Sequence, residues 1–197
     1  AIVRALKASC VDLGLPEPSE ERARYVIGLG LGDALRHVAP DLAEADYPQM
    51  VDRYRHHYLA VDRELSLFPG VVEAIAWLAA EGRMLGVATG KSRAGLDRAL
   101  VRSGLGPYFH STRCADECFA KPHPAMLEEI MDELGVERAR TLMVGDTTHD
   151  LQMARNAGVA ALAVAFGAHP AAALRAEAPL ACIDTPAAFG AWLLAHA

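Results

Sequence analysis

Residues 141–154 constrain the fold more than any other part of the chain. The apolar run Thr141-Leu142-Met143-Val144 reads as a buried parallel strand. It delivers Gly145 and then two carboxylates, Asp146 and Asp150, to the mouth of a helix. Open α/β sheets bind ligands at the carboxyl ends of their strands. Carboxylates held there without a nearby basic side chain invite a hard cation such as magnesium. The stretch therefore predicts metal-assisted chemistry on an anion, provided the rest of the constellation is present.

From Phe68 onward the pattern alternates between strand and helix. Pro69 starts a helix running to Ala80, closed by Gly82. A strand over 84–88 ends at Thr89-Gly90, and Ser92 caps a helix through Arg102. A short strand is predicted near 111–113. Pro122 opens a helix through Leu134, stopped at Gly135. The strand into Asp146 and a helix to Asn156 follow, with Gly158 as C-cap. Strands over 159–164 and 180–183 and a terminal helix over 186–194 complete the series. Repeated units of this kind predict an α/β fold, with a Rossmann-like doubly wound parallel sheet over residues 65–197. Residues 1–64 carry only helical periodicity, with Ile2, Val3, Leu6 and Leu13 marking a first amphipathic helix stopped by Gly14 and Pro16. Helices are also expected from Ser19, over 33–38 and over 47–61, with Pro40 as a breaker.

At 197 residues and 52% apolar content, the chain can bury one substantial core and a small second module. A net charge of −6 without a basic stripe argues against nucleic acid as a partner. No apolar run reaches the length of a membrane span. Cys10, Cys114, Cys118 and Cys182 are scattered, which reads as reduced thiols of a cytoplasmic protein.

Three strand ends line up with chemistry. Thr89 and Gly90 offer a hydroxyl and a close-approach backbone at a helix entry, suited to a phosphate. Lys121, held before Pro122, offers a point charge for a phosphoryl oxygen. Asp146 and Asp150 supply the carboxylates. Each element alone has an ordinary explanation in turn chemistry, capping or the helix dipole. Their joint occurrence on strand ends of one sheet is what points to phosphoryl transfer.

In these motifs the chain resembles the haloacid dehalogenase superfamily of phosphohydrolases, in the branch with a helical cap and especially phosphoglycolate phosphatase-like members. Thr89 matches the family's second motif, Lys121 its third, and Asp146 with Asp150 its fourth, continued by Ala154, Ala157 and Gly158. The segment before Phe68-Pro69-Gly70 resembles the cap. The resemblance implies a magnesium-dependent phosphomonoesterase acting on a small phosphorylated metabolite, with 2-phosphoglycolate the first candidate. It implies Thr89 and Gly90 as phosphate ligands and Lys121 as charge stabiliser. Asp146 becomes the metal ligand, and Asp150 a group orienting Lys121 or metal-bound water. A phosphosugar mutase or pyrophosphatase of the same family is the alternative within enzymes, and a non-catalytic binding protein on the same scaffold the alternative outside them.

One departure stands out. The family's first motif is a strand ending in Asp-x-Asp, which supplies the nucleophile, the acid/base and a principal metal ligand. Nothing in this sequence matches it: Val11-Asp12 and Ala45-Asp46 lie in helical patterns. The chain is therefore expected to be a truncated form, to lack the first strand of its sheet and to be inactive by itself. Other clusters carry less. Gly28-Leu29-Gly30-Leu31-Gly32 lacks the sixth-position glycine of a dinucleotide loop and reads as a cap hinge or an interhelical turn. His110, Cys114, Cys118 and His123 lack the tight cysteine spacing of a zinc site. His56 and His57 point to different sides of a helix, and Arg24, Arg36 and Arg53 are expected to be solvated.

Overall fold

Helical periodicity in the first third of the chain produces four α-helices in the computed structural model, which describes residues 1–62 and 66–196. They are α1 (Ile2–Asp12), α2 (Glu20–Tyr25), α3 (Leu31–Val38) and α4 (Tyr47–Asp62). The Ser19 hydroxyl accepts the Arg22 N–H and caps α2. Leu6, Cys10, Val26, Leu35, Val38 and Met50 form the core of this unit, with α1 packed along α4. The glycine run forms a turn through Gly28 and the N-cap of α3 at Gly30. Arg24 pairs with Glu20 and Arg36 with Asp33, all four side chains more than half exposed. Arg53 is exposed. His57 bonds Asp12 at 2.8 Å, while His56 is exposed. By its internal contacts the chain divides into two compact units, 1–66 and 67–197.

The second unit comprises α5 (Val71–Ala80), β1 (Gly86–Thr89), α6 (Arg93–Ser103), β2 (Ser111–Cys114), α7 (Ala125–Leu134), β3 (Leu142–Gly145), α8 (Thr148–Ala157), β4 (Ala160–Val164), α9 (Ala171–Ala176), β5 (Ala181–Ile183) and α10 (Pro186–His196). All strand pairings are parallel: β1 with β2, and β3 with β4 and then β5. Strand β4 shows why helices cover both faces. Successive side chains of a strand point to opposite sides. Accordingly Ala161 and Ala163 pack against Leu151 of α8 and Leu174 of α9, while Leu162 and Val164 pack against Phe189 and Trp192 of α10.

A third cluster joins the two sheets. Met126, Leu127 and Met131 of α7 and Met153, Ala154 and Ala157 of α8 form one apolar layer. Ala88 of β1 and Met143 of β3 both pack against it. Among the described residues, however, β1 is hydrogen-bonded only to β2, and β3 only to β4. Strands of parallel sheets are normally buried on both faces. Leu142 and Val144 of β3 are instead 38% and 37% exposed.

Helix α8 ends at Gly158, whose φ of 67° is a left-handed conformation that L side chains rarely adopt. Helix α7 begins three residues later than its sequence pattern predicts. Residues 121–124 form a turn, with Pro124 at the N-cap and His123 Nδ1 accepting the Ala125 N–H at 3.2 Å. The reason lies in the second proline: the residue before a proline is disfavoured from helical geometry, so His123 cannot continue a helix into Pro124.

Met153 is fully buried in the layer shared by both sheets. Met153→Ala is expected to lower unfolding stability by about 2–5 kcal/mol, measurable from the midpoint of urea unfolding.

Candidate active site

Strand β3 runs directly into the site. Gly145 is its last residue, Asp146 follows, and Thr147 is the N-cap of α8. The Thr147 hydroxyl accepts the Asp150 N–H at 3.2 Å and donates to Asp150 Oδ2 at 2.7 Å. Asp150 Oδ2 also accepts the Thr147 N–H at 3.0 Å, completing a capping box. This folds the Asp150 side chain back over the strand end, which requires glycine there. A Cβ on Gly145 would lie 2.6 Å from Asp150 Cγ and 2.8 Å from Oδ2.

The other oxygen, Asp150 Oδ1, lies 2.6 Å from Lys121 Nζ. Lys121 comes from the turn before α7, which α8 also grips: the Asn156 side-chain amide donates to the Pro122 carbonyl at 2.9 Å. The pair is deeply buried, with Lys121 7% and Asp150 3% exposed. Burial alone would raise the Asp150 carboxyl. The Lys121 ammonium and the Thr147 hydrogen bonds outweigh it and hold the carboxyl below its ordinary range. The two carboxylates are therefore not an equivalent metal-binding pair, because a basic side chain does stand beside them and claims Asp150.

Asp146 has the opposite environment. Burial and the neighbouring Asp150 charge push its carboxyl upward, against the stabilising Ala168 N–H, which donates to Oδ2 at 2.9 Å. The His169 N–H donates to the Asp146 carbonyl at 3.0 Å, and His169 Nδ1 accepts the Thr148 N–H at 3.1 Å. The sequence pattern did not reveal Gly167, Ala168 or His169. Its only available signal was a glycine and a histidine just beyond the apolar run of β4, where an open sheet presents its ligand-facing loops.

Thr89 ends β1 on the other sheet, with Gly90 next. The Thr89 hydroxyl accepts the Lys91 N–H at 3.1 Å. A hydroxyl that accepts there still has its own hydrogen to donate elsewhere. Helix α6 starts only at Arg93, and two of its first amides are already bonded: Gly95 N–H to the Ser92 hydroxyl at 3.3 Å and Arg93 N–H to Asp116 at 2.9 Å. At this strand end the Thr89 hydroxyl and the Gly90 backbone, rather than the start of α6, are the candidate donors to an anion. Thus the structure joins Lys121 to Asp150 and seats both beside Asp146, while Thr89 and Gly90 belong to the other sheet. Cys118 Sγ bonds Glu129 at 3.1 Å, and among the described residues no three His, Cys, Asp or Glu side chains gather as a metal cluster.

Lys121→Met strands a buried carboxylate and is expected to cost about 3–5 kcal/mol at neutral pH. The depressed Asp150 carboxyl gives the native protein stability that is present above the unfolded value of about 4 and lost as pH falls through its folded value. The penalty of Lys121→Met should therefore shrink in acid, as shown by urea unfolding across pH. Asp146 has the reverse sign: its raised carboxyl disfavours the fold at neutral pH and ceases to do so once protonated. Asp146→Asn is expected to raise the neutral-pH unfolding midpoint, a gain that disappears as the solution is acidified.

Comparison with known proteins points to one family. Residues 1–164 match the haloacid dehalogenase-like hydrolase family. The chain is 40% identical over 192 residues to a protein of Dickeya dadantii named "Probable phosphatase IndB", covering 93% of this chain and 82% of that one. It is 39% identical over 177 residues to a phosphoglycolate phosphatase of Rhodospirillum rubrum, covering 87% and 69%. In fold it is similar to a hydrolase from Pseudomonas syringae, with a TM-score of 0.88 at 18% identity over 99% of this chain and 91% of that one. The chain belongs to the haloacid dehalogenase-like hydrolase family.

Proposed function

We propose that this chain carries the phosphate-handling part of a magnesium-dependent phosphomonoesterase for a small phosphorylated metabolite. The observation that carries the reading is the buried Lys121–Asp150 pair at 2.6 Å beside the upshifted Asp146. A desolvated ammonium fixed at the end of a parallel sheet suits charge developing on a transferring phosphoryl group. Lys121 would stabilise that charge, with one of its three donors directed at Asp150. Asp150 would hold Lys121 in place. Thr89 would donate its hydroxyl hydrogen to a phosphoryl oxygen, and the Gly90 N–H would give a second donor.

Asp146 fits magnesium as a single hard-oxygen ligand, since this ion is commonly held by one or two carboxylates together with waters and substrate phosphate. Its upward shift from burial and from the Asp150 charge is the imbalance a cation relieves. Magnesium, when bound, would reduce repulsion between an anionic nucleophile and the anionic substrate. Phosphoglycolate is the first substrate to test, supported by the name of the Rhodospirillum rubrum relative. By the same resemblance we assign the helical unit the role of cap.

The attacking carboxylate is assigned to a strand between β1 and β3, where it would form a phospho-aspartyl intermediate. Both strands pack on the α7–α8 layer, and β3 leaves Leu142 and Val144 partly exposed.

The test compares two proteins with 4-nitrophenyl phosphate and magnesium, then 2-phosphoglycolate. One is the 197-residue chain, expected to show no turnover. The other carries at its N-terminus an apolar strand ending in Asp-x-Asp, expected to be active and to lose at least about a hundredfold in Asp146→Ala or Lys121→Ala. Metal-dependent turnover by the shorter chain, abolished by Asp146→Ala, would refute the assignment of the nucleophile. A folded but inactive longer protein would sink the phosphatase reading.

A further inference from the structure

The segment Gly167-Ala168-His169, 21 to 23 residues downstream of Asp146, bears on that residue and its helix in three ways. First, Gly167 leaves space. A Cβ there would overlap the Asp146 side chain, with Cγ at 2.6 Å. Gly167 has no positive φ, so its requirement is steric and not conformational. Second, the Ala168 N–H fixes Asp146 Oδ2 at 2.9 Å, while the His169 N–H fixes the Asp146 carbonyl at 3.0 Å. Third, the His169 ring, 4% exposed, accepts the first N–H of α8 from Thr148 at 3.1 Å. It also stands edge-on to the buried His149 ring, with centroids 5.3 Å apart. A loop that only connected β4 to α9 would not need all three.

We propose that Gly167, Ala168 and His169 form the positioning element of the site, setting the orientation in which Asp146 receives a divalent cation. The proposal rests on the reading of Asp146 as a metal ligand. Gly167 selects the side-chain orientation by exclusion, Ala168 fixes one oxygen, and His169 anchors the start of α8 so that Asp146 and Asp150 keep their relative placement. Partners that orient a metal ligand without touching the metal characteristically alter affinity by about 10- to 100-fold.

The test is binding of manganese(II) alone to the 197-residue chain, followed by paramagnetic broadening of assigned amide signals. Saturable broadening at Ala168 and His169 is expected in the wild type and not in Asp146→Ala. Gly167→Ala and His169→Ala should each bind at least about tenfold more weakly. His169→Asn, whose side-chain oxygen can accept the Thr148 N–H, should recover most of the His169→Ala loss. Cooperative unfolding by circular dichroism establishes that each variant is folded, and the two histidine variants carry the test should Gly167→Ala not fold. Wild-type affinity in folded Gly167→Ala or His169→Ala overturns the positioning role while leaving the metal reading intact. Equal binding by wild type and Asp146→Ala overturns the metal reading, and the positioning role with it.

Discussion

The second unit is organised around the folded-back side chain of Asp150. One oxygen closes the capping box of α8 through Thr147, and the other meets Lys121 from the turn before α7. The same side chain covers the end of β3 so closely that only glycine fits at position 145. Desolvating two charges costs several kcal/mol per ion, and pairing offsets that only when geometry is good and remaining hydrogen bonds are made. Here both carboxylate oxygens are bonded, and no buried side-chain nitrogen or oxygen among the described residues lacks a partner. The strand end, the helix start and the lysine-bearing turn are thereby locked together.

That lock divides two nearby acids into different chemical groups. Asp150, beside an ammonium and with its other oxygen bonded by Thr147, has its carboxyl held below the ordinary range despite burial, and it pairs with Lys121 at 2.6 Å. Asp146, half-buried and facing the Asp150 charge, is left with an unfavourable ionisation that a cation would relieve. Environments that drive two titratable groups apart are a mark of functional sites. Asp146 takes no part in the capping box of α8, which Thr147 and Asp150 complete, so a capping preference does not account for it.

The sequence showed the strand–helix alternation clearly because apolar runs and glycine stops are local signals. Strands β1 and β3 and the αL cap at Gly158 follow from them, as does the placing of Thr89 at the end of β1 and Asp146 just after β3. The start of α7 was misplaced because Pro122 looked like a first-turn proline, whereas Pro124 governs the cap two residues on. Gly167 was not legible for a different reason. Its role is exclusion of a Cβ by a side chain 21 positions away, and no periodicity or turn rule encodes that. The Lys121–Asp150 contact was likewise not legible from spacing alone, since the two residues lie 29 apart in sequence; only the family resemblance pointed to Asp150 as a group orienting Lys121.

The two sheets set the remaining constraint. Both rest on the α7–α8 layer, through Ala88 and Met143, yet each ends in a strand without a neighbour on its inner side among the described residues. Unpaired parallel edges and the exposed Leu142 and Val144 are costly in a sheet otherwise covered by helices. A strand parallel to β1 and β3 would pair with both, bury those side chains and join the halves into one sheet. Its carboxyl end would then emerge between the Thr89 and Asp146 strand ends, because parallel strands present their carboxyl ends on one side. An acidic residue placed there would face the Thr89 hydroxyl from one side and the Lys121–Asp150 pair from the other. On the proposed phosphatase reading, a strand that joined the two sheets would also be the one placed to carry the attacking carboxylate.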